Sequence, residues 1–150
     1  MEAPHPVLTR LQPLLAGFTA RAAEIEQARQ LPADISRALI ATGVFKLCVP
    51  EALHGYQAPP LVLMQAIERA AEADASVGWN VMIGATAGTS AAWLAPDAAR
   101  AIHGAPDVVV GGIFAPRGRA ERVGDSWRVS GTWQWASGNS HAHWMKGGCV

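Results

Sequence analysis

Between Val7 and Ala28 the apolar residues Leu8, Leu11, Leu14, Leu15, Phe18, Ala22 and Ile25 recur every three or four positions, with Arg21, Glu24, Glu26 and Arg29 on other faces. That period predicts a long amphipathic helix, in which Pro13 marks a kink or a late start. Pro32-Ala33-Asp34 opens a shorter helix through Ile35, Leu39 and Ile40, closed by Gly43, because glycine accepts the left-handed conformation that ends helices. After a loop around Pro50 and Gly55, Pro59-Pro60 starts a third helix, with Leu63, Met64, Ile67 and Ala71 expected inward and Glu68, Arg69 and Glu72 outward. Asp74 or Ser76 caps a fourth helix, roughly 75–94, rich in Gly, Ala, Ser and Thr, whose small side chains let neighbouring helices approach closely. Pro96-Asp97 begins a last short helix to His103, and Gly104-Ala105-Pro106 breaks it.

Beyond Pro106 the period falls from helical to two. Residues 107–114 read as a strand with a glycine bulge at Gly111-Gly112, and 126–135 as a half-buried strand with Trp127, Val129, Gly131, Trp133 and Trp135 on one face. Gly124-Asp125 is a two-residue hairpin signal, and a further strand begins near His143. The expected fold class is α+β: an all-helical unit over 1–105, then the beginning of a β domain over 106–150. Two or three strands cannot bury a row of tryptophans alone, so the expectation is the N-terminal portion of a longer protein.

Composition narrows the function. Half of the 150 residues are hydrophobic and 16% are charged, with twelve basic against twelve acidic side chains and no basic run. Disorder and a nucleic-acid partner are excluded on these grounds. Residues 75–96 carry no charge, yet Asn80, Thr86, Thr89, Ser90 and three glycines favour a buried central helix over a membrane span. Cys48 and Cys149 lie far apart in apolar stretches, as core thiols of a reducing compartment do. The first residues lack a basic region followed by an apolar run, so the expected location is the cytoplasm.

No Walker loop, dinucleotide fingerprint or Cys-x-x-C is present. His141 and His143 flank Ala142, as a metal pair on one strand face would, but no third ligand lies nearby, and no metal is expected. The segment Gly131-Thr132-Trp133-Gln134-Trp135-Ala136-Ser137-Gly138-Asn139-Ser140 is more specific. Large aromatic faces followed by hydroxyls, an amide and backbone donors suit a flat heteroaromatic ligand.

The order of a helical unit, a Gly-Gly strand, a hairpin, Gly-x-Trp-x-Trp-x-Ser-Gly and a later Trp resembles the acyl-CoA dehydrogenase superfamily. It is most similar to the flavin-dependent monooxygenase branch, the two-component aromatic hydroxylases. Leu31-Pro32-Ala33-Asp34, Thr42-Gly43-Val44-Phe45 and Val49-Pro50-Glu51 extend the resemblance across 31–150. It implies an acyl-CoA dehydrogenase-like fold whose middle domain is an antiparallel β-barrel or sandwich. Trp135 and Ser137 match the family's Trp-x-Thr/Ser pair, so the indole would pack near the flavin and the hydroxyl would bond the ring edge around N5. There Ser137 would help hold a flavin C4a-hydroperoxide. Gly138 would let the backbone approach the ring, and Ile113 and Phe114 would line the flavin from the preceding strand. Ser137 and His141 are thus the catalytic candidates, and Ile113, Phe114, Trp135, Ser137 and Gly138 the cofactor-binding ones.

Phe114-Ala115-Pro116-Arg117-Gly118-Arg119 replaces the acyl-CoA dehydrogenases' Thr-Glu-Pro and Gly-Ser-Asp, which argues against acyl-CoA. Ser137-Gly138 followed by His141 and Trp144 is similar to the hydroxylase branch. The fourth helix lacks the histidine that phenol hydroxylases often carry there. The implied function is an oxygenase that takes reduced FMN or FAD from a separate flavin reductase, binds O2 and hydroxylates a small, aromatic substrate, as a homo-oligomer such as a tetramer. The alternatives are an acyl-CoA dehydrogenase-like flavin oxidoreductase and a non-catalytic interaction module pairing through its Trp-rich strands.

Overall fold

The computed structural model describes residues 3–150; Met1 and Glu2, on which the reading of the extreme N-terminus partly rests, lie outside the described residues. Among the described residues seven α-helices precede three strands. They are α1 (Pro6–Leu11), α2 (Leu15–Ala20), α3 (Ala22–Ala28), α4 (Ala33–Thr42), α5 (Pro60–Ala73), α6 (Ala75–Ala87) and α7 (Pro96–His103), then β1 (Val110–Val123), β2 (Ser126–Gly131) and β3 (Trp144–Cys149).

The long first helix expected from the periodicity is three pieces. Pro13 has no N–H to continue the ladder, and Gln12–Leu14 tightens into a 3-10 turn between α1 and α2. Arg21 then leaves helical geometry at φ −109°, ψ 13°, and its guanidinium binds Glu24 at 2.7 Å and also Asp34, tying α3 to α4. The apolar stripe nevertheless stays on one side: Val7, Leu8, Leu11, Phe18 and Ile25 are all buried. α4 ends where expected, on Gly43 in the left-handed region (φ 78°).

On α5, Leu63 and Ile67 pack against the core as expected, but Met64 and Ala71 do not turn inward. Ala66 and Ala70 are its buried positions, whereas Met64 is 62% exposed and Ala71 is also exposed. The reason lies in the neighbouring helix. A Cβ at Gly78 of α6 would stand 2.5 Å from the Ala71 Cβ, so the two helices touch through their smallest residues and the longer side chains flank that line. Asp74 caps α6 by accepting from the Val77 N–H at 2.9 Å. α6 is shorter than read and passes into a 3-10 segment, Gly88–Trp93. No helix among the described residues is long and apolar enough to cross a membrane.

Two buried polar groups close the helical unit. Lys46 Nζ donates to the His103 carbonyl at 2.5 Å, and the His103 ring stands 3.0 Å from Ser90 Oγ. Both Lys46 and His103 are almost fully buried, and burial lowers both their pKa values, for His103 with help from Lys46 and Lys146.

The chain is α+β, as expected, but the sheet is mixed, in the order β2-β1-β3. β1 and β2 form the anticipated antiparallel hairpin, with Val123 opposite Ser126 across Gly124-Asp125. β3 instead runs parallel to β1, so this sheet is mixed where an antiparallel one was expected. The crossover segment 132–143 joins β2 to β3 past β1, so the two outer strands run antiparallel to each other and β3 lies parallel to β1. The strand read over 126–135 therefore ends at Gly131, and every residue of β2 is exposed, Trp127 at 65%. Trp133 leaves the strand and lies across Gly147 of β3, its indole N–H donating to the Gly148 carbonyl at 2.8 Å. The two cysteines, expected in the core, are free and half-buried.

Candidate functional site

The crossover 132–143 carries most of the candidate chemistry. It folds as a turn because Gly138 sits at φ +83°, a conformation open to glycine at no steric cost, and its carbonyl accepts from the N–H groups of His141 (3.1 Å) and Ala142 (2.8 Å). The turn meets the sheet at a bridge in which the Gly112 N–H donates to the Ser137 carbonyl at 3.0 Å. Gly111 makes that contact possible, since a Cβ there would lie 2.6 Å from the same carbonyl oxygen.

Trp135 is the exceptional residue. It holds φ 62°, a region that costs a bulky side chain energy, and its indole is 89% exposed. Two residues on, Ser137 Oγ accepts from the indole N–H of Trp79 on α6 at 2.9 Å, and its nearest acceptor is the Trp135 carbonyl at 3.4 Å. The helical unit and the crossover thus face each other across a cleft of two adjoining hollows, about 600 and 300 Å³. Both hollows share Arg29, Gln30 and Leu31 from the α3–α4 connection, Trp79 and Asn80 from α6, and Trp135. The smaller one adds Ser137, Gly138, Asn139 and Ser140. Arg29, like Trp135, is a non-glycine residue with positive φ (52°).

Of the residues singled out from the sequence, Trp135, Ser137 and Gly138 come together on this cleft. Ile113, Phe114 and His141 do not line it. Ile113 and Phe114 follow the bridging Gly112 along β1. Phe114 is 73% exposed, with Lys146 Nζ 4.3 Å from its ring centroid, a cation–π contact. That ammonium has no hydrogen-bond partner among the described residues, and burial lowers its pKa. His141 lies behind the turn, its ring 6.1 Å from that of Phe45. Burial first, and the neighbouring His143 second, lower its pKa. Phe45 in turn fills the space left by Gly84, where a Cβ would lie 2.4 Å from the Phe45 ring, so the helical core supports the turn directly.

The two histidines do not form a pair on one strand face. His143 Nδ1 accepts from the Val109 N–H at 3.1 Å, which commits it to the sheet edge. Among the described residues no group of three or more His, Cys, Asp or Glu could hold a metal ion.

The sequence reading missed Trp79, Asn80 and Arg29. α6 is apolar nearly all round, so no stripe distinguishes its wet side. The available signal was Trp79 itself, one large indole amid small residues.

A helical unit followed by a sheet that presents Trp-x-Ser-Gly at a cleft defines the class, and the chain belongs to the acyl-CoA dehydrogenase N-terminal domain family, which it matches over residues 15–98. It is 36% identical over 138 residues to the oxygenase subunit HsaA of a flavin-dependent monooxygenase from Rhodococcus jostii (strain RHA1), a match covering 91% of this chain and 36% of that protein. To the oxygenase component of an FADH2-dependent resorcinol hydroxylase from Rhizobium sp. (strain MTP-10005) it is 32% identical, with 95% and 37% covered. The crystal structure of 3-HSA hydroxylase from Rhodococcus sp. RHA1 superposes with a TM-score of 0.88 at 36% identity, covering 94% of this chain and 37% of that one. The chain spans little more than a third of the length of these relatives.

Proposed function

We propose that the chain is the N-terminal part of the oxygenase component of a two-component flavin-dependent monooxygenase, which hydroxylates a small aromatic molecule with O2. Reduced flavin, FADH2 by analogy with the resorcinol hydroxylase relative, would come from a separate reductase. When bound, it supplies the electrons that activate O2.

The observation that carries the reading is the strained, exposed indole of Trp135 beside a hydroxyl whose proton has only a distant acceptor. Backbone outliers of this kind cluster at ligand-binding sites. The residues fit a flavin. Trp135 offers a flat apolar face, Ser137 offers one remaining lone pair and a proton to the ring edge, and Gly138, at φ +83°, carries no side chain to bar the ring's approach to the backbone. Ile113 and Phe114, which follow the bridging Gly112 along β1 outside the cleft, are the remaining cofactor-binding candidates. In this reading Ser137 and His141 are the catalytic candidates: Ser137 bonds the ring edge, and a neutral His141 backs the turn that presents it. The free thiols of Cys48 and Cys149 support a reducing, cytoplasmic setting, and a homo-oligomer is part of the same proposal.

The test is an anaerobic titration of the protein, as its source cells make it, with reduced and oxidised FAD and FMN, followed by admission of O2 with a panel of phenols. The proposal expects tight binding of reduced flavin only, and a hydroxylated product. Tight oxidised FAD that an acyl-CoA bleaches would contradict it.

A further inference from the structure

We propose that Trp79 is a positioning residue, whose indole N–H holds the Ser137 hydroxyl in one orientation toward the cleft. The inference rests on the reading of Ser137 given above and adds a group from the other structural unit.

An indole N–H can only donate, whereas a serine hydroxyl has one proton and two lone pairs. With Trp79 Nε1 2.9 Å from Ser137 Oγ, one lone pair is committed. Among the described residues the only other partner of Oγ is the Trp135 carbonyl at 3.4 Å, at the limit of hydrogen bonding. Ser137 therefore presents one lone pair and one proton to whatever enters, from a fixed oxygen. The hydroxyl sits on a turn that meets β1 at the Gly112–Ser137 bridge, while Trp79 stands on α6, whose neighbours Gly78 and Val77 are fully packed. The packed helix thus fixes, from the other structural unit, the position of an atom on the crossover. The accepted bond also polarises the hydroxyl and strengthens the bond that its proton donates.

The experiment is a double-mutant cycle in the full protein: wild type, Trp79→Phe, Ser137→Ala and the pair. Two quantities are read in each, the Kd for reduced FAD under anaerobic conditions and the hydrogen peroxide released per O2 consumed. Phenylalanine keeps a ring at a site that is 54% exposed, and a melting curve verifies that each variant is folded. Trp79→Phe is expected to weaken reduced-FAD binding roughly three- to tenfold, the worth of one hydrogen bond, and to raise peroxide release. In the Ser137→Ala background it should change neither quantity, because its effect passes through the hydroxyl. Equal losses from Trp79→Phe with and without Ser137, or no loss, would overturn the positioning role while leaving the flavin reading intact. Unchanged binding in Ser137→Ala would overturn both.

Discussion

Gly111→Ala turns the close approach of β1 and the crossover into a measurable quantity. The added methyl would stand 2.6 Å from the Ser137 carbonyl oxygen, 3.2 Å from Met145 Sδ and 3.3 Å from Ala142 Cβ. The thioether can swing aside, but the carbonyl cannot, because it belongs to the backbone and already accepts from the Gly112 N–H at 3.0 Å. Reaching ordinary contact at 3.4 Å requires the turn to retreat by about 0.8 Å, which lengthens the bridge and drags Ser137 away from Trp79. Overpacking of this kind costs about 1–3 kcal/mol, and a displacement near 1 Å at a reacting group costs up to about a hundredfold in rate. The assay pairs a urea melt with the hydroxylation rate at saturating reduced flavin. The control is Gly17→Ala in α2, where a Cβ meets nothing within 4 Å; it should gain roughly 0.5–1 kcal/mol from helix propensity and leave the rate alone. A Gly111→Ala protein with wild-type stability and rate would refute the argument that this glycine sets the position of the turn.

Further outcomes follow from the same structure. Leu39→Ala removes a fully buried side chain and should cost about 2–5 kcal/mol, read as a shift in urea midpoint with unchanged slope. Asp74→Ala deletes the acceptor for Val77 N–H and should cost about 1 kcal/mol in the same melt. His103 and His141 have pKa values depressed below 6.5, chiefly by burial. The unfolded chain therefore takes up protons that the folded one refuses, so this stability is intact above pH 6.5 and is lost as the pH falls toward the folded values. Urea midpoints measured between pH 7.5 and 5.5 should decline, and His103→Gln should flatten that decline.

Much of this arrangement was legible in the chain. Gly43 as a left-handed cap, the Pro59-Pro60 helix start, the Asp74 cap and the Gly124-Asp125 hairpin are local signals, and local geometry decides them. Trp135, Ser137 and Gly138 were legible through the motif they share. What escaped depends on contacts distant in sequence. The burial of Ala66 and Ala70 in place of Met64 is set by the close passage of Ala71 against Gly78. β3 runs parallel because the crossover 132–143 carries the chain to the far side of β1, and no period-two pattern encodes direction. Trp79 reaches the site only because α6 and the crossover face each other, while His141 is turned onto Phe45 by the same packing.

The central claim, that the Trp135–Ser137 turn binds reduced flavin, is tested most directly by anaerobic titration of the protein with FADH2, comparing wild type with Trp135→Ala. Saturable binding in the wild type, weakened about tenfold or more when the exposed indole is removed, in keeping with the 1–3 kcal/mol of stacking on an aromatic face, is the expected result. Equal binding by the two proteins, or none by either, would contradict it.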